Sequence, residues 1–140
     1  PPDPGEAGKA TIEGIDSDQD GLRDDIQRYI ALTYPDSEKT RTVLQHQALV
    51  MQKALLESHD KNKSLDNTED MDRTTECLLY IHPDDAYKIG HALLAEVMNT
   101  DERSRAFIKY NSQLGGHNFR GKRIDEYKTS CKFDPDIMED

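Results

Sequence analysis

Apolar residues recur along most of this chain at helical rather than strand spacing. Leu22, Ile26 and Ile30, with Tyr29 beside them, predict a first helix over 22–34 that Pro35 stops. Asp36 and Ser37 then cap a second helix over 37–58, on which Leu44, Ala48, Met51 and Leu55 keep the period. Residues 59–67, His-Asp-Lys-Asn-Lys-Ser-Leu-Asp-Asn, lack that pattern and read as a polar loop. Asn67 caps a third helix over 68–81, carrying Met71, Thr75, Leu78 and Leu79. His82-Pro83-Asp84-Asp85 reads as a restart, since proline suits the first helical position and acids suit the first turn. The fourth helix, 83–98, buries Ala86, Ile89, Gly90, Leu93, Leu94 and Val97. Thr100-Asp101-Glu102 opens a fifth over 101–114, with Ala106, Phe107, Tyr110 and Leu114 inward, and Gly115-Gly116 ends it. From 117 the pattern is irregular, with a short helix at 123–129. No strand-like alternation and no internal repeat is present. The expected fold class is all-α, a small bundle of four or five helices with an irregular C-terminal tail.

Composition narrows this picture. A chain of 140 residues makes one domain. The Pro/Gly-rich start, Pro-Pro-Asp-Pro-Gly-Glu-Ala-Gly, reads as a flexible leader over 1–13, leaving 14–140 as a single helical domain. Hydrophobic residues are 34% and charged residues 33% of the chain, and there is no Trp. Mean hydropathy is −0.89, and no apolar run approaches the ~18 residues of a membrane span. The net charge of −10 and pI near 4.9 make nucleic acid an unfavoured partner. That charge is uneven. Residues 1–36 hold nine acids and three bases, net −6, whereas 101–140 hold eight of each. Within that last block the segment 103–132 is strongly basic, from Arg103 and Arg105 through to Lys128 and Lys132. It attracts the acidic front end, stays solvated, or binds an anionic ligand.

The acidic front end contains the one stretch with a mechanism: Asp16-Ser17-Asp18-Gln19-Asp20-Gly21-Leu22-Arg23-Asp24-Asp25-Ile26-Gln27. Asp16, Asp18 and Asp20 alternate and Gly21 follows, the first half of a calcium loop of EF-hand type. Calcium is a hard cation that takes six to eight oxygens at about 2.3–2.6 Å. Carboxylates at loop positions 1, 3 and 5 converge when the chain turns sharply, and glycine at position 6 accepts the required positive φ. Leu22 offers its carbonyl at position 7 and its side chain to the core. Asp24 at position 9 binds directly or through water. Position 12 departs from the pattern, because Gln27 stands where a bidentate glutamate is usual and brings one neutral oxygen. Asp25, the nearest spare carboxylate, faces outward. The stretch resembles the Asp-rich loops of thrombospondin type 3 repeats, dockerins and similar exported bacterial proteins. That resemblance covers about a dozen residues. It implies Asp16, Asp18, Asp20, the Leu22 carbonyl and Asp24 as ligands of a structural, extracytoplasmic Ca²⁺. A second alternation, Asp60, Asn62, Ser64 and Asp66, is a weaker candidate, because it has no glycine at the turn and carries two lysines.

Two cysteines, Cys77 and Cys131, match no zinc spacing. They suit one disulfide that pins the tail to the bundle, and hence an exported protein, periplasmic, lipid-anchored or secreted, whose signal peptide has been removed. The alternative is a pair of buried thiols. The five histidines form no metal-binding pair. His46 and His91 edge apolar stripes, His82 belongs to a turn and His59 to a loop. His117, Asn118 and Arg120, set among Gly115, Gly116 and Gly121, make a candidate ligand loop. No phosphate loop and no serine-hydrolase elbow is present. The leading expectation is an exported calcium-binding module, not an enzyme, that binds another protein or supports the cell envelope, an inhibitor or immunity-type protein being one form. The alternatives are a small hydrolase using His117 or His91 with acids, and an anion or nucleic-acid binder using 103–132.

Overall fold

A computed structural model describes all 140 residues. Five α-helices and two 3-10 turns follow one another without a strand: Gly5–Lys9 (3-10), α1 Asp24–Thr33, α2 Glu38–Leu56, α3 Lys61–Ile81, α4 Ala86–Val97, α5 Asp101–Ser112 and Ile124–Ser130 (3-10). The all-α bundle expected from the periodicity is the observed one. Helix α2 is its centre and packs against each of the other four helices. Its Val43, Leu44, Ala48, Met51 and Leu55 form the middle of the core. Ile26 and Ile30 of α1, Leu78 of α3, and Leu93 and Val97 of α4 close on them.

The helix starts divide by how their free N–H groups are satisfied. Ser37, Asp60 and Thr100 each accept a bond from the backbone N–H three residues on, opening α2, α3 and α5. Helix α1 has no side-chain cap. It starts at Asp24 rather than 22, and distant partners take its first amides. Arg23 N donates to Gln52 Oε1 of α2, and Asp24 N donates to the Ile15 carbonyl. The preceding Leu22 is buried in the core, as its position in the loop requires.

Two boundaries correct the sequence reading. The stretch 59–67 is not a loop, because α3 begins at Lys61. The inward face of this first half is polar, so it leaves no hydrophobic period to read. Ser64 and Asn67 are buried there and bond back to α2, Ser64 Oγ to the Glu57 carbonyl and Asn67 Nδ2 to the Val50 carbonyl. Asn67 is therefore an interior residue of α3 and not its cap. Asp60, Asn62, Ser64 and Asp66 are the cap and first turns of a helix, with no turn to gather them around a cation. Helix α4 begins at Ala86, not Pro83. Pro83-Asp84-Asp85 forms a turn whose exit is fixed by the Ala86 N–H donating to the His82 carbonyl.

The C-terminal tail is irregular, apart from its 3-10 turn, and lies along α3. Cys131 is joined to Cys77 in a disulfide. Glu76, buried beside Cys77, accepts from Ser130 Oγ at 2.7 Å, from Lys122 N at 2.7 Å and from the Arg73 guanidinium. Phe133 packs edge-on to the His46 ring, and Asp140 reaches the α2 cap residue Ser37.

Candidate metal centre

The loop 14–23 is shaped by its own carboxylates. Asp16 Oδ2 accepts the Gly21 N–H at 2.8 Å and closes the turn. Gly21 has φ +91°, a conformation that an L side chain rarely adopts. Asp20 Oδ1 accepts the Leu22 N–H at 2.9 Å, and Asp18 Oδ1 accepts the Asp20 N–H at 3.3 Å. Gln52 of α2 clamps the loop exit, with Nε2 donating to the Gly21 carbonyl while Oε1 receives Arg23 N.

This folding brings Asp16, Asp18 and Asp24 together, with one oxygen of each within 4.8 Å of the others. Asp24 is buried in the first turn of α1, where its Oδ1 also accepts the Ser17 N–H at 3.0 Å. Asp20 is not one of the three. Its carboxylate is turned to the Leu22 amide, so the alternation in sequence does not translate into four convergent carboxylates. Gln27 lies one turn after Asp24 on α1, and its side chain reaches Asp18 and favours the charged form there.

Two oxygens in this region are buried without any hydrogen-bond donor, Asp16 Oδ1 and Gln27 Oε1. Buried acceptors are normally satisfied, so each asks for a partner. The carboxyls compete for charge. Burial pushes Asp16 above the ordinary carboxylate range. The Gly21 N–H acts against that push, and Asp18 and Asp20 add to it. Asp18 lies below its ordinary value because hydrogen bonds from Asp16, the Asp20 backbone and Gln27 outweigh its desolvation. Convergent acidic oxygens plus an orphaned carboxylate oxygen and an orphaned amide oxygen form an all-oxygen donor set, which fits a hard divalent cation.

Next to this loop sits a feature that local sequence patterns do not announce. Arg23 and Arg103 are both fully buried. Arg23 pairs with Asp25 through Nε and Nη2 and donates Nη1 to the Val97 carbonyl, capping the C-terminal end of α4. Asp25 thus turns to the Arg23 guanidinium and is only partly exposed. Arg103 donates to the carbonyls of Gly8, Thr11 and Ile12, and to Asn99 Oδ1 at 2.6 Å. The segment 1–13, expected as a flexible leader, thereby places three of its carbonyls on one guanidinium of α5. Gly14 permits the approach: at φ +65° it has no Cβ, and one placed there would stand 2.9 Å from Arg103 Nη2.

Compared with protein-family models, with curated proteins and with solved structures, the chain matches none. The other candidate residues lie apart from the loop. His117, Asn118 and Arg120 are exposed, and the Arg120 carbonyl, not its guanidinium, is engaged, by Arg73. In the basic segment Arg103 is internal, Arg123 pairs with Asp125 and Glu126, and Lys128 with Asp134 and Asp136. His82 shares a 2.7 Å bond with Thr40, and burial beside Lys132 lowers the His46 pKa.

Proposed function

We propose that this protein is an exported, calcium-stapled helical module whose work is to bind another protein at or beyond the cell envelope. The observation that carries the calcium reading is the pair of orphaned buried oxygens, Asp16 Oδ1 and Gln27 Oε1, beside the convergent carboxylates of Asp16, Asp18 and Asp24. A cation there gains donors from both the loop and the first turns of α1, so it ties the segment before the bundle to the bundle. The role is structural: the loop is already clamped to α2 through Gln52 and to α1 through the Ile15 carbonyl, leaving no hinge for the ion to move. Asp20 and the Leu22 carbonyl complete the ligand set that the loop resemblance implies, with Asp20 releasing the Leu22 amide if it joins. The disulfide is compatible with an oxidising compartment.

Thermal melting of the whole chain tests the metal. Ca²⁺ is expected to raise the midpoint and EDTA to lower it, because an ion that binds only the folded state stabilises it. Asp16→Asn combined with Gln27→Leu should erase the difference. A midpoint that ignores Ca²⁺, EDTA and the double substitution alike would sink the calcium reading. The partner is tested by capture from a periplasmic extract, with Ca²⁺ present and then with EDTA.

A further inference from the structure

We propose that the groove between α3, α4 and α5 is a binding site for a small organic cation, an amine carrying an aromatic or alkyl body. The cavity is about 420 Å³, within the range of small-molecule sites, and none of its lining residues comes from the calcium loop. Its walls are apolar and deformable: Met51, Met71, Leu94, Phe107 and Leu114.

The polar groups give the ligand its chemistry. Gln47 lines the groove from a core position of α2, only 3% exposed. Its Nε2 donates to Thr75 Oγ1 at 3.3 Å, which leaves Oε1 buried with no donor. Bulk water does not reach this oxygen, and no side chain bonds it. A hydrogen-bond donor entering the groove would satisfy it. Gly90 of α4 supports the same point. A Cβ built there would stand 3.5 Å from Gln47 Oε1 and 3.8 Å from Leu78 Cδ2. Both are ordinary van der Waals distances, so a methyl would fit, and alanine is the better helix former, but that methyl would cover the unpartnered oxygen and occupy the space from which a ligand donor reaches it.

Asp72 supplies the charge. It lines the same groove, half-buried and with no ion pair. Burial holds its carboxyl above the ordinary range, with Glu76 and Glu69 adding to the push that Arg73 opposes. No lysine or arginine lines the cavity, and Phe107 and Tyr110 bring aromatic rings to it. An orphaned acceptor, an unpaired carboxylate and aromatic rings together complement an N–H-bearing cation and repel an anion. The overall charge of −10 favours the same sign of ligand.

The test is a nitrogen-edited NMR titration of the intact, calcium-loaded protein with phenethylamine, and in parallel with phenylacetate, which has a similar body and opposite charge. Phenethylamine is expected to give saturable shifts at the Thr75, Gly90 and Leu94 amides, and phenylacetate none. Asp72→Asn should weaken the amine about tenfold, the loss expected for one charge-assisted contact. Gly90→Ala should abolish the saturable shifts while the protein stays folded and melts at a higher temperature. Three results would each overturn the proposal: no saturable shifts in the groove, equal binding of phenylacetate, or unchanged amine affinity in Gly90→Ala. Repeating the titration in EDTA separates this site from the calcium loop. Shifts confined to residues 14–27 would also overturn it.

Discussion

Arg103 has the most consequential side chain outside the acidic loop. Its guanidinium is fully buried and answers three backbone carbonyls and Asn99, with Asp25 at 4.0 Å. Burial, and then the neighbouring Arg23, act to lower its pKa, while Asp25 and Glu13 oppose them. A planar fork of donors suits this cluster of acceptors, and a lysine would reach only part of it. Arg103→Met keeps the volume but leaves those carbonyls without a donor. It should destabilise the fold by about 3–5 kcal/mol in urea unfolding, the range for breaking a buried charged network. Arg103→Lys should recover little of it. A loss under about 1 kcal/mol, within the range of a surface substitution, would mean that the network is dispensable. Sequence reading placed Arg103 in a basic segment that attracts the acidic front end, stays solvated or binds an anion, because charge alone cannot distinguish a solvated cation from one enclosed by backbone. The acidic loop was more legible. Spacing alone singled out Asp16, Asp18 and Asp24, the three carboxylates that the fold brings together. It did not tell that Asp20 turns away to the Leu22 amide, because that depends on the loop's own hydrogen bonds.

At the scale of elements, caps and apolar period located four of the five helices. The exception shows how that reading fails. Helix α3 starts at Lys61 because Asp60 caps it and because Ser64 bonds to the carbonyl of Glu57, the C-cap residue of α2, and Asn67 to that of Val50 in α2. A helix held by a polar inner face has no hydrophobic stripe, so its first two turns read as loop. Asp60→Ala should therefore cost about 1 kcal/mol, the usual value of a lost N-cap. Hydrogen exchange should show the cost as faster exchange in 61–67 and not in the rest of α3. Uniform exchange across 61–81 would show that the cap does not hold this half of the helix.

For the whole molecule, a disulfide and a buried carboxylate hold the tail to α3, together with bonds from Arg73 to the Arg120 carbonyl and from Tyr80 to Asp136. The Cys77–Cys131 link closes a loop of 54 residues, which the chain-entropy model values at about 4 kcal/mol. Reduction should lower the unfolding free energy by roughly that amount, and a free-thiol assay on the unfolded, unreduced chain should find none. Two titratable thiols would refute the link. Beside it, Glu76 is desolvated, but bonds from Ser130, the Lys122 amide and Arg73 more than compensate and hold its pKa below the ordinary 4.5. A depressed carboxylate contributes its full stability above the unfolded-state value and loses it as pH falls through the folded-state value. Urea midpoints should thus drop as the pH is taken below about 4.5. Glu76→Gln should flatten that acid limb, and an unchanged limb would assign the acid sensitivity elsewhere.

By itself the sequence determined the helical class, two of the three side-chain caps, Ser37 and Thr100, the Asp-rich turn and the one available cysteine pair. Each of these depends on residues near one another in the chain or on simple exclusion. The tertiary structure decided what the polar side chains do. It enclosed Arg23 and Arg103, made Ser64 and Asn67 interior, gathered three carboxylates rather than four, and left Gln47 Oε1 unpartnered in an apolar groove. Those outcomes depend on which carbonyls and carboxylates distant segments bring within about 3 Å, the reach of a hydrogen bond, and local spacing carries no record of it.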